Sequence, residues 1–162
     1  MKTLVMSLVI AATSLLNSAF AANPATPRFA YNADTDSAGV TTQYVYKVSE
    51  DGLHLRHHLK YRYTYDDAHR LLCKEALRWD AAAGTYRPAY ALHYAYAADV
   101  SVSVELALWN RQDEAYTDVR EKAVYSSDAF GLTYQAYEYD ARHNGWQLTD
   151  EHEVDVALLA GR

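Results

Sequence analysis

Trp79-Asp80-Ala81-Ala82-Ala83-Gly84-Thr85-Tyr86 decides the fold, because the chain writes it three times. Thirty residues on stands Trp109-Asn110-Arg111-Gln112-Asp113-Glu114-Ala115-Tyr116, and thirty further on Tyr139-Asp140-Ala141-Arg142-His143-Asn144-Gly145-Trp146. Each copy has an aromatic residue, then Asp or Asn, five loop residues, and a second aromatic seven positions after the first. Asp and Asn open turns because their side chains bond the backbone two residues on and tolerate left-handed conformations. The two rings then face each other across the strands as a pair that contributes roughly 0.2–1 kcal/mol. The pattern predicts a repeated β-hairpin clasped at its loop by two rings.

Working outward, the repeat covers about residues 65–94, 95–124 and 125–154. In each copy a short turn (Asp66 to His69, Ala97 to Asp99, Ser126 to Gly131) leads into a strand, the clasped loop and a returning strand. Further columns agree, with Glu75, Glu105 and Gln135 in one and Ala76, Leu106 and Ala136 in the next. Upstream, Thr41 to Val48 is a β-branched and aromatic run stopped by Glu50-Asp51-Gly52. Leu53, Leu55, His57, Leu59, Tyr61, Tyr63 and Tyr65 then alternate with His54, Arg56, His58, Lys60, Arg62 and Thr64. A period of two predicts a half-exposed strand, and its length predicts a bend. About eight strands joined by short turns give an all-β, antiparallel meander, a curled sheet or open barrel. Its ~30-residue double-strand units bury their faces on their neighbours. The repeated-hairpin domain is expected over 41–157, with a tail at 158–162.

Met1 and Lys2 precede an apolar run, and Ala19-Phe20-Ala21 ends it in the A-x-A pattern of a secretory signal peptide. We expect residues 1–21 to be a leader and 22–40, which hold Pro24 and Pro27, to be a flexible N-terminal arm. The net charge of −6 argues against nucleic acid, whose binders carry a basic excess. A transmembrane barrel needs a continuous lipid-facing apolar row on every strand, which these Tyr-, Lys- and Glu-laced strands lack. The 15 Tyr against 3 Phe and 3 Trp suit strands whose rings are half-buried with the hydroxyl in water.

Residues with chemical potential are few. Cys73 is the only cysteine, and its repeat equivalents are Ser103 and Thr133, which fits a small packing position better than an activated thiolate. His54 and His58 would share a strand face at ~13 Å, too far to chelate one ion, with His57 facing away. The column of His93 reads Ala123 and Glu153, so no repeated ligand emerges and we expect no metal or other cofactor. Asp66-Asp67, Asp113-Glu114 and Asp150-Glu151 fall at turns or strand ends. No phosphate loop or nucleophile motif is present, so no catalytic residue is assigned and the expectation is a protein that is not an enzyme. The ring columns Trp79, Trp109 and Tyr139 read first as packing between units, while exposed Tyr and Trp would suit carbohydrate or protein contacts.

The exported start, the Tyr44-Val45-Tyr46-Lys47-Val48 entry and the Trp-Asn and Tyr-Asp hairpins together resemble a family of small secreted Bacteroidales proteins of unknown function. The resemblance implies an exported, periplasmic or secreted protein of a Gram-negative bacterium and brings no site residues with it. The expected function is therefore an exported non-catalytic module binding an unknown glycan or protein. The alternatives are a structural or assembly component of the cell envelope and, third, an enzyme. A basic row (His54, Arg56, His58, Lys60, Arg62) near one end and an acidic row (Glu151, Glu153, Asp155) near the other predict that the two meet, by closure of the sheet or by head-to-tail self-association.

Overall fold

The computed structural model describes residues 27–97, 101–128 and 131–155; the leader and the tail expected from the sequence lie outside them. The described residues form nine strands: β1 (Phe29–Thr35), β2 (Thr41–Val48), β3 (Leu55–Tyr65), β4 (Leu71–Asp80), β5 (Thr85–Tyr96), β6 (Val102–Asn110), β7 (Ala115–Ser127), β8 (Gly131–Asp140) and β9 (Gly145–Asp155). They make one antiparallel sheet whose spatial order is the sequence order, so β1 and β9 are its edges and the sheet does not close. The all-β meander predicted from the repeat is the fold, with nine strands rather than eight.

The additional strand corrects the flexible arm expected over 22–40 where that arm is described, from residue 27 on. Phe29 to Thr35 pairs residue by residue with Lys47 to Thr41 of β2. Arg28 extends that pairing by donating to the carbonyls of Ser49 and Glu50 at 3.0 and 2.9 Å. The Asp36 carboxylate accepts from the backbone N–H of Ala38 and Val40, and Gly39 takes the left-handed conformation at φ 78°. The Asp66 turn repeats this thirty residues later, with bonds from Ala68 and Arg70 and His69 at φ 57°. The repeat therefore reaches one turn further toward the N-terminus, and the Asp36–Asp66 spacing is the signal that reveals it.

The clasped loops take the predicted geometry. Trp79 pairs with Tyr86, Trp109 with Tyr116 and Tyr139 with Trp146, at ring separations of 4.9, 5.0 and 5.4 Å and near-perpendicular planes. The side-chain oxygen of Asp80, Asn110 or Asp140 accepts from the backbone N–H two residues on. The last loop residue is left-handed in all three: Gly84 at φ 63°, Glu114 at 49° and Asn144 at 49°.

One layer of sheet must bury what it can against itself. Its buried apolar residues are Val45, Leu71, Ala76, Ala91 and Ala107, and no large side chain is fully buried among the described residues. Rings laid across small residues supply the missing layer. On one face Tyr61 and Tyr90, both opposite Ala76, bring their hydroxyls together above it. Lys74 lies over Tyr61 and Tyr63 at 4.5 and 5.8 Å, worth roughly 0.5–2 kcal/mol per contact. Burial pushes the Tyr61, Tyr63 and Tyr94 phenols up to about 12, with charge repulsion from neighbouring tyrosines adding to it, and burial alone lowers the Lys74 ammonium. The other face carries the three clasps.

Bulges decide which way the sheet bends. Pairing slips by one residue at His58 in β3, Leu72 in β4, Ala89 in β5, Thr117 and Arg120 in β7, and Thr149 in β9, so every returning strand carries at least one. A bulge kinks its strand and increases the local twist, and these lie within a few residues of the loop ends. The first two clasped tips fold back over the strands that precede them on the clasp face, bringing Tyr86 to Tyr44 and Tyr116 to Glu75.

Candidate binding surface on the clasp face

The bulge at His58 creates the most developed part of this face. A strictly alternating β3 would place His57 with Leu59 and Tyr61, as the sequence pattern predicts. Instead the slip pairs His57 with Tyr46 and turns its ring to the opposite side. His57 stacks on Trp79 at 4.4 Å with planes 27° apart, lies 5.2 Å from Tyr46, and meets the Tyr86 ring edge-on at 5.7 Å. Its Nδ1 hydrogen-bonds the Tyr86 hydroxyl at 2.9 Å. Tyr44 joins Tyr46 and Tyr86 at 6.4 and 6.0 Å. Five rings from β2 to β5 are therefore contiguous, with His57 the exposed member. The Lys60 ammonium sits 5.5 Å from the Tyr44 ring and 6.0 Å from that of Tyr86.

The same bulge sends His58 to the tyrosine face, where it stacks on Phe29 at 5.6 Å; burial and the charges of Lys47 and Arg78 lower its pKa. His54 is not on a strand at all, since it closes the β2–β3 loop by donating its backbone N–H to Ser49 Oγ. The expected basic row is therefore split between a loop and two faces. It is not near an edge, because β1 and β2 lie outside it. Five strands separate Lys60 of β3 from Glu153 of β9, which overturns closure of the sheet as the way the basic and acidic rows meet.

The second and third clasps repeat the overhang. Tyr116 of β7 reaches back across Ala107 and Ala91 to the Glu75 carboxylate on β4; burial first and that carboxylate second hold its phenol up at about 12. Glu75 is also bridged to Arg62 at 3.1 Å. Burial and the neighbouring Glu75 raise the Cys73 thiol, whereas Arg62 works against them. That environment favours the unreactive, protonated thiol, in keeping with Ser103 and Thr133 in its column. At the third clasp Lys122 lies 4.4 Å from the Trp146 ring. There a groove of about 390 Å³ is lined by Tyr139, Trp146, Glu105, Asp118 and Arg120, among others.

The carboxylate pairs do not converge into a site: Asp66 holds its own turn and Arg70, Asp113 accepts from Asn110 and Thr117, and Asp150 contacts His152. Among the described residues no three His, Cys, Asp or Glu side chains gather as metal ligands. Sequence reasoning missed the ring cluster because Tyr44, Tyr46 and His57 stand outside the repeated columns. The Tyr-x-Tyr spacing of β2 was the available signal, while the bulge had none.

The fold defines a class: an open antiparallel meander of clasped hairpins. A family model described as a family of unknown function, DUF3836, matches residues 1–127, and the chain belongs to that family. This agrees with the resemblance to a Bacteroidales family read from the sequence. A crystal structure of a protein of unknown function from Bacteroides fragilis is similar, with a TM-score of 0.65 and 20% identity over 79% of this chain and 93% of that one. A DUF3836 family protein from Parabacteroides distasonis has a TM-score of 0.53 and 18% identity, covering 63% of this chain and 93% of that one. At these identities the likeness shows the fold. No curated protein matches the chain.

Proposed function

We propose that the protein is an exported, non-catalytic binding module that takes a glycan or protein ligand on the clasp face. The observation that carries this reading is the contiguous cluster of Tyr44, Tyr46, His57, Trp79 and Tyr86. A core has no need to bring an exposed histidine ring onto a tryptophan, whereas ring platforms with polar edges suit sugars and protein side chains. The A-x-A leader pattern supports export, and N-terminal sequencing of protein recovered outside the cytoplasm should find Ala22 first. A glycan array together with a pull-down from cell-envelope extract tests the ligand. Capture that His57→Ala and Tyr46→Ala abolish, without lowering the melting temperature by more than a few degrees, is the expected result. Failure of both screens to yield any ligand dependent on these two rings would overturn the reading.

A second reading, a structural or assembly component of the envelope, is favoured by the two edges, β1 and β9, that have no further strand paired to them among the described residues. β1 presents Tyr31 at 50% exposure, and β9 presents Glu151 and Glu153. Unpaired edge backbone invites strand addition from another copy. Head-to-tail contact would then join β9 to β1 rather than to the basic strand, and light scattering at low and high salt tests it.

A further inference from the structure

We propose that the first-clasp ring cluster binds an acidic saccharide, with a sugar ring packed on the exposed His57 and the half-buried Tyr46 beside it and its carboxylate or sulfate on the Lys60 ammonium. This rests on the binding-module reading and names the ligand's chemistry.

In a chain of net charge −6, the other cation of β3 on the clasp face already has a carboxylate partner. Arg62 is bridged to Glu75 at 3.1 Å and Arg87 to Asp80 at 2.5 Å. Lys60 shares the clasp face with Arg62, whereas Arg87 pairs with Arg78 on the tyrosine face, and among the described residues no carboxylate lies within ion-pair distance of Lys60. Its ammonium is held over the Tyr44 and Tyr86 rings, which leaves its strong hydrogen-bonding capacity unspent. With Glu75 matched by Arg62, the Lys60 ammonium leaves this corner of the clasp face locally positive although the molecule is acidic. Long-range repulsion would work against an anionic ligand elsewhere on the surface, so the corner's sign also selects where such a ligand lands.

The geometry fits a sugar better than a small inorganic anion. A point anion needs only the ammonium, whereas here the cation is set into five rings whose outer edge is the exposed His57. Apolar C–H faces of a pyranose match the rings, and the His57 and Tyr46 polar edges can bond ring hydroxyls. The carboxylate of a uronic acid and the sulfate of a sulfated sugar offer the same chemistry to Lys60, and the experiment separates them.

Binding of the purified full chain to immobilised oligogalacturonate, hyaluronan, chondroitin sulfate and neutral dextran tests the proposal, at low salt and at 0.5 M salt. The expected result is retention of at least one acidic polymer at least tenfold more strongly than dextran, weakened by salt. Lys60→Gln should weaken it at least tenfold, Lys60→Arg should largely preserve it, and His57→Ala should weaken it with the charge intact. Preference among the three acidic polymers distinguishes carboxylate from sulfate. Equal or stronger binding of dextran, or acidic binding indifferent to Lys60→Gln, would overturn the acidic-sugar inference while leaving a ring-dependent binding module standing. Retention of none of the polymers would also overturn it, and the envelope pull-down then decides the broader reading separately.

Discussion

His57 stacks on Trp79 with ring centroids 4.4 Å apart, although the two residues belong to different thirty-residue units. The contact exists because β3 slips by one residue at His58 and turns His57 toward the clasp face. It welds the N-terminal unit, which has no Trp-Asp signature of its own, to the first clasped hairpin.

His57→Ala should therefore destabilise the protein by about 1 kcal/mol, the usual value of an aromatic pair beyond its burial. Chemical denaturation with unchanged slope checks it. Trp109→Ala, at a half-buried ring, should cost about 2 kcal/mol, below the 3–5 of a fully buried aromatic.

The left-handed position that ends each clasped loop is Gly84, Glu114 or Asn144. Only glycine takes it without steric cost, so Glu114→Gly should stabilise by about 0.5–1 kcal/mol and Gly84→Ala should destabilise by about 1. A Cβ at Gly84 meets nothing within 4 Å, so the loss there is purely conformational. Thermal melts of the two variants should move in opposite directions.

Ala91 and Ala107 have no exposed surface and lie in the trough that Tyr116 crosses to reach Glu75. Ala107→Leu should cost about 1–3 kcal/mol through overpacking. It should also bring the Tyr116 phenol down toward its ordinary value, visible in an ultraviolet pH titration, by lifting the ring away from Glu75.

Cys73→Ser should change stability by less than about 1 kcal/mol, given Ser103 in the equivalent position and a thiol that is only half-buried. Because burial and Glu75 raise its pKa, the native thiol should react with a disulfide reagent at pH 8 more slowly than free cysteine.

His58 has a folded-state pKa below its ordinary 6.5, from burial first and then from Lys47 and Arg78. Well above 6.5 both states are neutral at this site. As pH falls through 6.5 the unfolded chain takes up the proton first, so stability declines until the folded value is passed. Denaturation midpoints between pH 8 and 5 should show this slope, and His58→Gln should reduce it.

The local code of this chain is strong. An aromatic, an Asx residue and a second aromatic seven positions on suffice to set each hairpin's turn, pairing and ring contact, because all three act within ten residues. Repeating that code at thirty-residue intervals determines an antiparallel meander and its strand order, since every connection is short. Asp36 carries the same local code as Asp66, so even β1 was legible, hidden only by the prolines before it. The tertiary structure alone decided the rest. A bulge changes which face a side chain occupies without changing the apolar alternation, so the side on which His57 sits is invisible in sequence. Successive bulges bend successive hairpin tips over the same face, and only that accumulated curvature brings Tyr44 to Tyr86 and Tyr116 to Glu75. Closure of the sheet was likewise beyond local signals, because it depends on the sum of twist over nine strands. That sum leaves β1 and β9 apart.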